Sequence, residues 1–207
     1  LTTFKKLSNL SDLYLGTKSC QIKVVKSFLK SFFFPQTMKN TPSPTHLRIL
    51  AGLLAIPTEE SVATLQALAE EHIWLQSAIP QLVELPLTEW RAEHTRLFIN
   101  GHPKTACPPF ESVYREGLMN GPVCHSIGHL YHAIGLAPIE GLSTDYLGVL
   151  LECAAYLLES DSLKTAYWDE LWEGHLAQWV PEFAKDLAQQ TSIQLYQQLA
   201  LQLQDLF

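Results

Sequence analysis

The stretch STDYLGVLLECAAYLLES, residues 143–160, constrains the fold more than any other part of the chain. From Leu147 to Leu158 it carries a single charge, Glu152, and no polar stripe. A helix that is apolar all round must be enclosed by other elements. The run falls well short of the ~18–20 apolar residues that a membrane crossing needs, so the enclosing elements have to be protein. The expectation is a central helix, capped by Ser143, inside a helical bundle.

The flanking sequence supplies the partners. Between residue 45 and the end, apolar residues recur at helical spacing and are punctuated by Pro and Gly. HLRILAGLLAI stops at Pro57, and Thr58 is placed to cap EESVATLQALAEEHIWLQSAI. In that segment Val62, Leu65, Leu68, Ala69, Ile73 and Trp74 form one stripe, which Pro80 and Pro86 end. Thr88 opens EWRAEHTRLFIN, with Trp90, His94, Leu97 and Phe98 on one side and Gly101 closing it. Gly121-Pro122 starts a further helix and Gly135 ends it. SLKTAYWDELWEGHLAQWVPEFAKDLAQQ reads as a long amphipathic stretch bent or broken near Pro181, and Thr191 or Ser192 begins the last helix. No segment alternates with period two, so no sheet is expected. The predicted fold is a single-domain, all-α bundle of roughly seven to ten helices.

Charge divides the chain. Residues 1–37 hold six Lys against Asp12, giving +5, whereas in residues 38–207 eight Lys/Arg stand against 20 Asp/Glu, giving −12. Met38 followed by KNTPSPT reads as a natural start, which makes 1–37 a basic extension outside the native protein and 38–207 the folded domain. A targeting leader is the rival reading; the lack of Arg and of a small-residue cleavage site disfavours it. The acidic body repels nucleic acid and anionic lipid and suits cationic partners. Four cysteines, Cys20, Cys107, Cys124 and Cys153, stand far apart without a CxxC pair, which fits reduced thiols rather than a zinc ribbon or a disulfide scaffold.

Several groups could carry chemistry. His125, His129 and His132 in CHSIGHLYH are spaced i, i+4, i+7, as metal-binding helices space them, but Ser126 stands where the catalytic Glu of that motif belongs. Surface or packing histidines are the simpler reading, with a metal protein or metal-dependent enzyme as the alternative function. Cys107 would be reactive at a helix N-terminus. FESVY around Ser112 is not a nucleophile elbow, and phosphate-binding Gly loops are missing. The loop ACPPFESVYREG, residues 106–117, gathers prolines, aromatics and a carboxylate with no catalytic companion. Asp145-Tyr146 opens the central helix, where a carboxylate either serves the helix dipole or receives a guanidinium.

AEHTRLFING, CPPFESVY, STDYLGVLLECAAYLLE and HLAQWVPEFAKDL followed by LYQQLALQLQDLF, taken in this order, resemble the TorD/DmsD family of redox-enzyme maturation chaperones. The likeness spans about residues 45–207. It implies a cytoplasmic all-α protein with no catalytic activity and no resident cofactor, a monomer or helix-exchanged dimer. Such a protein binds the twin-arginine leader, and often the body, of an apo-molybdoenzyme until its cofactor is loaded. By the same resemblance His94, Leu97 and Phe98 on a helix, and Pro109, Phe110, Glu111, Ser112 and Tyr114 in the loop, are expected to contact the leader. An Asp-His pair of the family falls on Asp145-Tyr146, which keeps the carboxylate and replaces the imidazole. Carboxylates beside aromatic side chains suit a leader made of guanidiniums and apolar residues, with Asp145, Glu111 and Glu93 as the candidate acids.

Overall fold

The computed structural model describes residues 4–6 and 42–207; Cys20 and nearly all of the basic extension lie outside them. Ten α-helices make up the described body. They are α1 (Pro44–Leu53), α2 (Ser61–Glu71), α3 (Ile79–Glu84), α4 (Leu87–His94), α5 (Glu111–Glu116), α6 (Val123–Ala133), α7 (Leu147–Leu158), α8 (Asp161–Trp172), α9 (Val180–Gln190) and α10 (Gln194–Leu206). Among these residues no helix is long and apolar enough to cross a membrane.

The apolar run lies where its composition requires. All but three residues of α7 are buried, those three being Glu152, Tyr156 and Leu158. Helix α1 packs along it on one side, α8 folds back on it from another, and α9 and α10 pair beside them. Each fully buried leucine here contributes about 1.5–3 kcal/mol relative to exposure. The polar tips inside are mostly paired: Trp90 Nε1 donates to the Tyr196 hydroxyl at 3.0 Å, within a cluster that brings His94, Phe98 and Tyr196 together.

Several boundaries differ from the sequence reading, each for a local reason. The first helix starts at Pro44, a residue before the pattern suggests, because the Ser43 hydroxyl caps it by accepting from the His46 N–H. Thr58 does not cap α2; its own N–H donates to the Ser61 hydroxyl instead. After α2 the chain turns at His72 and continues as a 3₁₀ helix, Ile73–Ala78. A 3₁₀ helix buries residues three apart, so Leu75 and Ala78 go inside and Ile73 is left 77% exposed. The long amphipathic stretch breaks at Gly174 rather than at Pro181, which sits in the first turn of α9 where a missing N–H costs nothing. Ser143 is not the cap of α7, which begins at Leu147. A short antiparallel pair, β1 (Phe4–Lys6) with β2 (Leu136–Pro138), joins Phe4 to Pro138 and Lys6 to Leu136, and the Phe4 ring stands edge-on to Tyr131 at 5.1 Å. Strands of three residues are too short to display a period of two.

Candidate functional site

The loop at 106–117 is held first by a distortion of the helix before it. Helix α4 runs on into a π-helical turn, Thr95–Ile99, in which the Asn100 N–H donates to the Thr95 carbonyl at 2.8 Å. Such a turn changes which carbonyls the helix uses internally. Here the carbonyls of Arg96 and Leu97 accept from the N–H groups of Ala106 at 3.3 Å and Cys107 at 2.7 Å. Gly101 permits the close return: a Cβ there would meet the carbonyl oxygens of Lys104 and Arg96 at 2.6 and 2.9 Å. Cys107 is fully buried and burial pushes its thiol up to about 12, so it is a packing residue and not a nucleophile.

The second half of the loop is joined to the turn before α7. Phe110 and Tyr146 form an isolated antiparallel bridge. Around it the Leu147 N–H donates to the Pro109 carbonyl at 2.9 Å and the Glu111 N–H to the Asp145 carbonyl at 3.2 Å. Asp145 is 0% exposed. Its Oδ2 accepts from the Ser112 N–H at 2.9 Å, satisfying an otherwise unpaired donor in the first turn of α5, and its Oδ1 accepts from the Ser143 hydroxyl. Burial works to raise the Asp145 pKa, but the hydrogen bonds from Ser112 and Ser143 outweigh it and the carboxyl is held below its ordinary value. Glu111, also 0% exposed, pairs with Arg115 and has its Oε1 2.8 Å from His175 Nδ1. The Tyr146 hydroxyl donates to the Leu54 carbonyl at 3.0 Å, and its ring covers Gly148, where a Cβ would meet it at 2.6 Å.

Beside this joint opens a cleft of about 480 Å³. Phe98 and Ile99 from the π turn, Phe110, Val113 and Tyr114 from the loop and α5, and Met119 beyond them form its apolar walls; Glu182 and Asp186 of α9 and Lys104 supply its charges. The Tyr114 hydroxyl donates to Asp186 Oδ2 at 3.3 Å, and its ring lies 5.4 Å from that of Trp179. Ile99 and Met119 are about half exposed at the rim, as is Leu118, which precedes Met119 in sequence. An apolar cleft with a few converging polar groups is the usual form of a binding site.

The family model of the nitrate reductase delta subunit matches residues 53–185. The chain belongs to this family of TorD-like redox-enzyme maturation chaperones. Among curated proteins none matches it at a significant level. A crystal structure of a candidate redox enzyme maturation protein from Archaeoglobus fulgidus is similar over 85% of this chain and 97% of that one, with 25% identity and a TM-score of 0.59. Family and fold together identify a redox-enzyme maturation chaperone.

In this TorD-like chaperone the ten residues named from sequence fall into three groups. Phe98, Phe110 and Tyr114 line the cleft. His94 and Leu97 point into the core, where His94 Nε2 meets the Leu54 carbonyl at 3.1 Å and burial lowers the imidazole pKa. Pro109, Glu111, Ser112, Asp145 and Tyr146 build the joint behind the cleft wall. Glu93 is engaged elsewhere, by Arg96 at 2.7 Å and the Thr191 hydroxyl at 3.2 Å. Sequence reasoning missed Glu182, Asp186, Lys104 and Met119. The spacing of Glu182 and Asp186 puts them on one face of a helix, but that α9 lies against α5 is a tertiary fact. His125, His129 and His132 are exposed along α6, and among the described residues no group of three His, Cys, Asp or Glu is arranged to hold a metal.

Proposed function

We propose that the chaperone acts in the cytoplasm by holding the leader or another exposed basic-apolar segment of an apo-molybdoenzyme in the cleft between the π turn, α5 and α9, so that export waits for cofactor loading. It catalyses no reaction of its own. The observation that carries this reading is the cleft's composition: Phe98, Phe110 and Tyr114, named from sequence as leader contacts, converge on one apolar surface edged by carboxylates. A peptide that alternates guanidiniums and bulky apolar groups is complementary to such a surface in both respects.

Calorimetric titration of the full chain with twin-arginine leader peptides, alongside co-purification with an apo-molybdoenzyme, tests the reading. Saturable binding is expected, weakened about tenfold or more by Phe110→Ala, whose half-buried ring presents a face to the cleft. A folded protein that binds neither any leader nor any apo-enzyme would refute it.

A further inference from the structure

We infer that the cation-reading groups of the cleft are the carboxylates of Glu182 and Asp186 on α9, and that its occupant is an extended peptide that sets an arginine beside a bulky apolar residue. This rests on the proposed peptide-binding role of the cleft and names the chemistry of its partner.

The carboxylates that sequence pattern favours are already committed. Asp145 and Glu111 are fully buried: Asp145 accepts from Ser112 and Ser143, and Glu111 meets Arg115 and His175 through Oε1 while its Oε2 is enclosed without a partner among the described residues. Glu93 holds Arg96, and Glu116 Oε1 accepts the Val123 N–H at the start of α6. Glu182 and Asp186 differ. Glu182 is exposed and makes no side-chain hydrogen bond or ion pair among the described residues; Asp186 receives only the Tyr114 hydroxyl on Oδ2, which leaves Oδ1 free. Both line the cleft.

They also stand one helical turn apart, and like charges at that spacing repel. A cation between them relieves the repulsion and gains two acceptors. Lys185, on the same helix, is exposed and makes no ion pair with either. The helix dipole accounts for Glu182 in the first turn of α9, but not for Asp186 in the second. Guanidinium fits better than ammonium because its planar fork can engage two carboxylates while its face rests on an aromatic ring such as Phe110 or Tyr114. Lys104 fixes the direction. As a cation in the cleft lining, it repels the arginine toward α9 and leaves Phe98, Ile99, Val113 and Met119 for the apolar neighbour.

The test is calorimetric titration of the full chain with two short synthetic peptides. One has two adjacent arginines followed by leucines; the other has glutamines in place of the arginines. Wild type is expected to prefer the arginine peptide by about tenfold or more, as charge-assisted hydrogen bonds provide, and the preference should shrink as salt is raised. Glu182→Gln with Asp186→Asn keeps both shapes and leaves the Tyr114 hydroxyl an acceptor. It should lose the arginine preference, with circular dichroism and the urea midpoint reporting an intact fold. A full arginine preference in the double variant, or none in wild type, overturns the inference. If that preference persists while Phe110→Ala abolishes binding, the cleft is still the peptide site and only the assignment of its acids is wrong. Binding of neither peptide by folded wild type removes both.

Discussion

The joint at Asp145 and the cleft at Asp186 lie on either side of the same short loop and use the same residue types for opposite ends. In the joint, the buried Asp145 carboxylate accepts from the Ser112 N–H and the Ser143 hydroxyl, and the Tyr146 hydroxyl is taken up by the Leu54 carbonyl. In the cleft, carboxylates and aromatics face outward with bonding capacity to spare. A carboxylate becomes structural when donors meet it inside the fold and a recognition element when they do not, and burial decides which. A lowered pKa is no guide to function here: Asp145, with its carboxyl held below the ordinary value, is the one sealed away.

The sharpest way to break this comparison is Asp145→Ala. It leaves the buried Ser112 N–H without its acceptor and takes from the Ser143 hydroxyl the shorter of its two bonds, the other being to Asn120 Oδ1 at 3.3 Å, and a loss of about 1–3 kcal/mol in unfolding free energy is expected in urea denaturation. Peptide affinity measured on the remaining folded protein should change far less than in the Glu182/Asp186 double variant. The reverse ranking would make Asp145 the recognition acid after all.

Tyr114→Phe is the smaller counterpart on the cleft side. It removes one hydrogen bond to Asp186 and should cost about 0.5–1.5 kcal/mol in stability. Because it frees a carboxylate oxygen for a ligand, binding of the arginine peptide should hold or tighten, and titration of the variant checks this directly.

A third and weaker effect sharpens the buried side through pH. The His94 pKa is lowered by burial, so the unfolded chain takes up the proton first. Stability is fully present above the unfolded value of about 6.5 and falls as pH drops below it. The Asp145 carboxyl is likewise held below its unfolded value, so its contribution persists above about pH 4 and is lost as pH falls further. Urea midpoints followed from neutral to acid pH should show two stages of loss, and His94→Gln should flatten the first.

The architecture was legible in the sequence because the strongest signals were of the kind that survives without coordinates. An all-apolar segment has to be central, and Trp90, His94, Leu97 and Phe98 shared one buried face as their spacing required. What escaped was set by geometry between segments. The π turn at Thr95–Ile99 has no signature in TRLFI, yet it supplies the carbonyls that anchor the loop. Asp145 looked like the first acid of the central helix and turned out to serve the start of α5, 33 residues earlier in the chain. Glu182 and Asp186 lie in a helix whose pattern reads as ordinary amphipathic surface, and only its packing against α5 brings them beside Phe110. The motif FESVY thus lies at the cleft wall, with its own acid, Glu111, turned inward.

Two side chains from separate parts of the chain, Tyr146 and His94, converge on the Leu54 carbonyl just past the end of α1. Tyr146 is bridged through its backbone to Phe110, and the His94 ring stands edge-on to Phe98 at 5.1 Å, so each is linked to a wall of the cleft. That one peptide group is thus reached from two walls of the cleft by separate side chains. Labelled with carbon-13 at this position, the chaperone would carry an internal spectroscopic gauge of cleft occupancy, its signal answering to the tyrosine and the histidine together.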